Sequence, residues 1–427
     1  MNIGKTIGKD CIPRGTVCLP PSKSLSHRAL ICAAMAGEGA AIKNIKTDGE
    51  DVAATLACLE KMGLGFLRQE DAITVTEGIG GTICHRHKMD GISLDCGESG
   101  STLRFLIPLL LLSPANTTMT GRGRLLERPL KGYLNALEAN GGKSIKDDWC
   151  LRLQGPLRPG IYELPGNLSS QFVSGLLMIL PLLEGSSKIR MTTALESEPY
   201  VDMTIDVMRD FGVTVERRGK SEFLIPGEQV YAPADYKVEG DYSAGAYFLV
   251  AGALGCDVGC RGLSADSAQG DKEILNFIRR CGGRIEMDEE GIMKATANEL
   301  RSITADISQC PDLAPPLSVL LCFCKGESRI VGAGRLRMKE SDRLRSISES
   351  LNSLGAKITE GPDYLTIQGV DELYGGRVDS HNDHRIAMAA ALASIKSRGA
   401  VTISDPECVN KSYPAFFRDF CGQKKEE

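Results

Sequence analysis

The sequence predicts an α/β protein of two similar domains, each built from three repeated βαβαββ-type units around buried parallel helices. Three observations carry that expectation. Six times a polar, often glycine-bearing loop leads into an almost wholly apolar helical stretch. The starts recur roughly every 70 residues, as in an internal repeat. All but the last apolar stretch are followed by an amphipathic one that ends at a glycine, and then by short alternating segments of strand type.

In order, residues 6–19 read as an opening strand that ends in the stiff pair Pro20-Pro21. Ser22-Lys23-Ser24 then precedes the apolar stretch 25–36, and the amphipathic stretch 51–62, with Leu56, Leu59 and Met62 on one face, stops at Gly63. Glu98-Ser99-Gly100-Ser101 precedes 102–112, and 130–140 stops at Gly141. Ser169-Ser170-Gln171 precedes 172–183, and 202–211 stops at Gly212 before the alternating Val213-Thr214-Val215. Asp241-Tyr242-Ser243 precedes 244–254, and 271–281 stops at Gly282. Pro311-Asp312 precedes 313–324, and 342–354 stops at Gly355. Asn382-Asp383-His384-Arg385 precedes 386–395, but this unit ends early and shows no amphipathic helix after Ser404. A helix apolar on all sides must be surrounded. Three units can enclose their three apolar helices, so six units make two domains, with the break between Gln229 and Asp241.

The 427 residues are 42% hydrophobic and 25% charged, an ordinary globular composition. The net charge of −5 and pI near 5.8 supply no global basic field for nucleic acid, so any anion site must be a local gathering of cations. The 15 cysteines fall largely in apolar runs and read as small buried hydrophobes in a reducing compartment. Cys256 and Cys260 have no second pair at zinc spacing, and neither His85-x-His87 nor His381-x-x-His384 has a carboxylate or thiolate set beside it, so no metal is expected. Residues 1–9 lack an apolar signal core, and the longest apolar run, 105–112, is broken by Pro108 and too short to span a bilayer. A cytoplasmic protein is expected.

Helix starts present free N–H groups and partial positive charge, and several here also carry Lys or Arg, as machinery for a highly anionic ligand would. In Pro21-Ser22-Lys23-Ser24-Leu25-Ser26-His27-Arg28 a cap needs one serine. The further hydroxyls, the point charge of Lys23 and the planar fork of Arg28 favour a ligand. Around Gly100 small residues let backbone amides approach a phosphate, with Arg104 one turn on. Ser169-Ser170-Gln171 reads equally as simple capping, and Lys411 alone says little. Lys339 and Arg343, in Arg337-Met338-Lys339-Glu340-Ser341-Asp342-Arg343, oppose the helix dipole unless an anion reconciles them; a solvated face with Glu340 and Asp342 is the plainer reading. Asp383 reads as both the cap and the ion partner of Arg385.

Together these motifs resemble one family, the EPSP synthases or 3-phosphoshikimate 1-carboxyvinyltransferases, from Pro21 to Lys411 and in the family's order. Lys339-Glu340-Ser341-Asp342-Arg343, Asn382-Asp383-His384-Arg385, Ser169-Ser170-Gln171-Phe172 and Pro21-Ser22-Lys23-Ser24 are jointly very specific. The resemblance implies domains of 21–238 and of 1–20 plus 239–427, with the active site in the cleft between them. It implies the joining of phosphoenolpyruvate to the 5-hydroxyl of shikimate 3-phosphate with release of phosphate, by addition then elimination. Shikimate 3-phosphate would lie on Lys23, Ser24, Arg28, Ser169, Ser170, Gln171, Ser197, Tyr200, Asp312 and Lys339. Phosphoenolpyruvate would lie by Lys23, Gly100, Arg104, Arg128, Gln171, Arg343, Arg385 and Lys411. Glu340 is expected to serve C3 of phosphoenolpyruvate, with Asp312 and Lys23 or Lys339 at the hydroxyl and the leaving phosphate. No cofactor is expected, because cations and helix ends can stabilise the developing charge. The expected partners are these two small substrates, with no nucleic acid, no membrane and a monomeric chain; domain closure on the anions is expected.

Three positions depart from the family pattern: Glu98 where asparagine is usual, Arg335 where Asn or Glu is more typical, and Glu198 where a lysine is common in one branch. They bear on substrate affinity and on the response to glyphosate, which the family implies as an inhibitor. A related transferase acting on a UDP-amino sugar usually carries a reactive cysteine in the loop matching 113–124, which has none here. A non-catalytic phosphate- or RNA-end-binding protein on the same scaffold is the other reading; acidic pI and a single Trp count against RNA.

Overall fold

A computed structural model describes residues 4–80 and 89–422. The six apolar stretches form helices that bury nearly every side chain, and the amphipathic stretches form helices that bury one face. In chain order the helices are α1 (Lys23–Ala36), α2 (Glu50–Lys61), α3 (Gly100–Leu110), α4 (Lys131–Glu138), α5 (Ser170–Ile179), α6 (Glu198–Asp210), α7 (Tyr242–Ala253), α8 (Ile274–Arg280), α9 (Ala314–Leu321), α10 (Arg343–Ser353), α11 (His384–Ala393) and α12 (Phe416–Phe420). The odd-numbered members are the apolar ones: α9 and α11 are buried throughout, and α7 everywhere but Ser243. Pro108 sits inside α3 without ending it before Leu110. Glycines at positive φ follow the amphipathic helices at Gly63, Gly141, Gly212, Gly282 and Gly355, where only the left-handed conformation turns the chain back.

The described strands form five four-stranded sheets and one three-stranded sheet. In a complete unit the first strand runs parallel to the second, the second antiparallel to the fourth, and the third forms an edge. Ser93–Asp95, Asn116–Thr120, Lys143–Lys146 and Cys150–Gln154 are one such set. Two units exchange their first strands: Asp235–Lys237 pairs with Ala41–Lys43, and Gly15–Cys18 pairs with Val258–Arg261. The opening segment 6–19, expected as one strand, is two. Lys5–Ile7 pairs with Val401–Ile403, and Gly15–Cys18 joins another sheet. Pro13 and the positive φ of Gly15 separate them. Lys5–Ile7 thereby supplies the antiparallel strand that the short sixth unit lacks.

By its internal contacts the chain divides into Pro21–Val238 and Met1–Pro20 with Glu239–Glu427, and each part has its own hydrophobic core. The segment after Ser404, read as lacking a helix, forms a 3-10 turn (Pro406–Lys411) and then α12. Phe416 and Phe420 of α12 lie against Phe248 of α7. Five residues are too few for a helical period to show. The cysteine reading needs one correction: Cys11 and Cys421 form a disulfide. They lie 410 residues apart, and only the folded chain brings them together. Of the other described cysteines, all but Cys18 and Cys150 are buried. No described helix is long and apolar enough to cross a membrane, and no metal-ligating cluster of three or more His, Cys, Asp or Glu occurs among the described residues. His85 and His87 lie outside the described residues.

Candidate functional site

In the unit 21–238 most of the residues expected to bind anions lie at or near the starts of α1, α3 and α5. Lys23 opens α1 and its ammonium meets Asp51 at 2.8 Å, at the start of α2. Ser22 stands at the N-cap but its side chain caps nothing, contrary to the role expected of the serines; Ser26 instead donates to the Ser22 carbonyl. Arg28, 2% exposed, is turned inward: Nε donates to Thr204 Oγ1, one terminal nitrogen to the Ser24 carbonyl, and the other to Ser174 Oγ and the Tyr200 carbonyl. It lies over the ring of Phe105, and burial pushes its pKa down to about 10. Arg28 thus ties α1 to α5 and α6, and holds the backbone of Ser24 and Tyr200.

The start of α3 is the densest point. Ser99 caps it by accepting from the Thr102 N–H. A Cβ on Gly100 would stand 2.9 Å from a terminal nitrogen of Arg128, 3.4 Å from one of Arg104 and 3.7 Å from Gln171 Oε1. Arg104 donates to Gln171 at 2.5 Å, and Gln171 donates to Ser101 Oγ at 2.8 Å. Ser169 caps α5 through the Gln171 N–H, so it is a cap and also part of this cluster; Ser170 is buried beside it. Ser197, buried and at φ 55, precedes α6, and its carbonyl accepts from the Tyr200 N–H.

In the unit 1–20 plus 239–427, Asp312 is the hub. Its carboxylate meets Arg343 at 2.8 Å, Arg385 at 3.0 Å and Lys339 at 3.2 Å. Burial alone would raise its pKa, but Arg385, Lys339 and Arg343 together hold it well below the usual carboxylate range. Arg343, 1% exposed, also pairs with Glu340 and Asp383, both at 2.7 Å. Despite the cost of burial, these three carboxylates, Asp383 foremost, raise its pKa further. Burial pushes the Lys339 ammonium down against the pull of Asp312. Lys411, 4% exposed, donates to the Asn382 carbonyl at 2.6 Å, just ahead of α11. Asp383 caps α11 as expected, through the Arg385 N–H. It is not the ion partner of the Arg385 side chain, however: that guanidinium goes to Asp312, and Asp383 serves Arg343. Adjacency in sequence pointed to the wrong carboxylate.

The fold therefore gathers Lys23, Ser24, Arg28, Gly100, Arg104, Arg128, Ser169, Ser170, Gln171, Ser197 and Tyr200 in one unit, and Asp312, Lys339, Glu340, Arg343, Arg385 and Lys411 in the other. Sequence reasoning missed Asp51, Ser174, Thr204 and Asp271. Asp271 accepts from Ser243, and burial followed by the charge of Asp312 raises its pKa to about 6. Its signal was faint: an acidic residue at the start of an amphipathic stretch. Of the departures, Glu98 packs its carboxylate against Gly123, where an added Cβ would lie 3.0 Å away. Glu198 pairs with Arg217, and Arg335 donates to the Ser308 carbonyl at 2.8 Å.

A family model described as EPSP synthase (3-phosphoshikimate 1-carboxyvinyltransferase) matches residues 12–420. The 3-phosphoshikimate 1-carboxyvinyltransferase of Clostridium perfringens (strain ATCC 13124) is 44% identical over 409 residues, 95% of each chain. That of Clostridium acetobutylicum is 42% identical over 416 residues, 96% of this chain and 95% of the other. Among solved structures, an EPSP synthase from Acinetobacter baumannii superposes with a TM-score of 0.78 at 25% identity, over 96% of both chains. The enolpyruvyl transferase NikO from Streptomyces tendae also reaches 0.78, at 17% identity and over 97% and 96% of the two chains; that likeness is one of fold.

Proposed function

The chain belongs to the EPSP synthase family, the 3-phosphoshikimate 1-carboxyvinyltransferases, and from that premise we propose how its buried cations carry out the reaction. The enzyme transfers the enolpyruvyl group of phosphoenolpyruvate to the 5-hydroxyl of shikimate 3-phosphate, yielding 5-enolpyruvylshikimate 3-phosphate and phosphate in the shikimate pathway. The single observation that carries the site assignment is the convergence of Arg104, Arg128 and Gln171 on the missing Cβ of Gly100, at a helix start with free N–H groups. Phosphoenolpyruvate sits there, with Lys23 on the same unit and Arg343, Arg385 and Lys411 from the other. Shikimate 3-phosphate takes Ser24, Ser169, Ser170, Gln171, Ser197 and Tyr200, organised by Arg28, and also Lys23, Asp312 and Lys339. Two phosphates and two carboxylates in one site need this many cations to offset their repulsion. Both residue sets thus act on one substrate pair. A cytoplasmic monomer, free of nucleic acid and membrane, suits the mostly reduced cysteines and the acidic pI.

In the addition step the 5-hydroxyl attacks C2 of phosphoenolpyruvate and loses its proton, while C3 gains one and becomes a methyl group. Elimination returns a proton from that methyl as phosphate leaves. Asp312 is a weak base while three cations hold it ionised. Substrate anions that take up Lys339, Arg343 or Arg385 withdraw those cations and raise its basicity toward the hydroxyl. Lys23 and Lys339 neutralise the departing phosphate. Glu340, fixed by Arg343 at 2.7 Å, delivers and retrieves the C3 proton. Glu340→Gln keeps the shape and loses the proton exchange. Turnover is expected to fall by about 100-fold or more with both KM values little changed; near-normal turnover in a steady-state assay would remove Glu340 from this role.

A further inference from the structure

Behind the first turn of α3 runs a file of buried polar side chains that the reaction itself does not use. His27 Nδ1 on α1 lies 2.7 Å from Thr55 Oγ1 on α2, and Thr55 Oγ1 lies 2.6 Å from Thr102 Oγ1 on α3. Thr102 Oγ1 in turn donates to Ser99 Oγ at 2.7 Å. All four residues are fully buried. A cap at Ser99 needs only its acceptance of the Thr102 N–H at 3.2 Å, and the Asp51 carbonyl at 3.3 Å offers Thr102 a longer alternative. The three short contacts reaching back to α1 exceed what capping requires.

The file has a direction. His27 Nε2 is buried with no hydrogen-bond partner among the described residues. A buried N–H without an acceptor costs more than an unfilled lone pair, so the ring proton belongs on Nδ1. Nδ1–H then donates to Thr55, Thr55 to Thr102, and Thr102 to Ser99, each threonine hydroxyl accepting once and donating once along the file. Burial, then the charges of Lys23 and Arg28, hold the imidazole well below its ordinary pKa and keep it neutral.

We propose that His27, Thr55 and Thr102 are positioning residues for the phosphoenolpyruvate turn: their one-way relay fixes Ser99, and with it the placement of Gly100 and Ser101 against Arg104 and Arg128. This rests on the assignment of phosphoenolpyruvate to that turn. None of the three touches substrate.

The test pairs Thr55→Val, which removes the hydroxyl at nearly constant shape, with Thr55→Ser, which keeps it. Thr55→Val is expected to raise KM for phosphoenolpyruvate about 5- to 20-fold, with kcat and KM for shikimate 3-phosphate within about twofold, and Thr55→Ser to stay near wild type. An unchanged KM for phosphoenolpyruvate in Thr55→Val, or equal effects of Val and Ser, would overturn the relay. A second measurement needs neither folding of the variant nor turnover. Nitrogen NMR of 15N-histidine-labelled wild-type enzyme, among only 5 histidines, is expected to show His27 as the neutral Nδ1–H tautomer, and an Nε2–H tautomer overturns the proposal. Wild-type enzyme that releases no phosphate from the two substrates would fail the functional assignment alone, with the relay still judged by the tautomer.

Discussion

Gly100 shows how much a single absent side chain can carry. Its missing Cβ leaves the space where Arg128, Arg104 and Gln171 converge, and the nearest of them would stand 2.9 Å from an added methyl. Gly100→Ala is therefore expected to displace an arginine and raise KM for phosphoenolpyruvate by about 10-fold or more, with a smaller change in KM for shikimate 3-phosphate. Steady-state kinetics with each substrate varied in turn would check this. The pair Arg343–Asp383 is the structural counterpart, since both side chains are almost fully buried. Asp383→Ala leaves a buried guanidinium with Asp312 and Glu340 alone and also removes the cap of α11. It is expected to cost about 3–5 kcal/mol in denaturant unfolding. At this scale the sequence was partly legible. Lys23, Arg104 and Lys339 stood out because cations at helix starts need a reason. The partners did not: Arg343 reaches Asp383 across 40 residues and Arg385 reaches Asp312 across 73, and no spacing rule connects them.

At the scale of elements, α7 begins where Asp241 caps its N–H groups and Ser243 donates to the buried Asp271. Asp271 faces Asp312, Asp241 and Arg385, and its pKa of about 6 lies above that of an unfolded aspartate, near 3.9. The folded state therefore binds more protons than the unfolded chain between those values. The contribution of Asp271 to stability is fully present below about pH 4 and is lost as pH rises through about 6. Asp271→Asn is expected to remove this loss and to be more stable than wild type at pH 8 by about 1–3 kcal/mol, with the gap closing toward pH 4. Denaturant midpoints at the two pH values measure it, and a gap that does not shrink on acidification contradicts the assignment. The helices themselves were readable from period and composition, because an all-apolar stretch of ten residues has few other places to go. The strands were harder. Segment 6–19 alternates well enough to pass for one strand, and only its pairing with Val401–Ile403 on one side and Val258–Arg261 on the other divides it.

For the whole molecule, the decisive features are the exchanged strands Gly15–Cys18 and Asp235–Lys237, which make the polypeptide pass twice between two cores. Each part carries its own buried cations. The repeat count was legible from the sequence because six helix starts recur at a near-constant interval; the disulfide between Cys11 and Cys421 was not, because nothing local relates the two ends of the chain. The most direct measurement of the central claim is inorganic phosphate release by the full-length enzyme, with shikimate 3-phosphate and phosphoenolpyruvate together, with each alone, and with EDTA present. Release that needs both substrates and survives EDTA is the expected result. Absence of release with both, or release from phosphoenolpyruvate alone at the same rate, would contradict it.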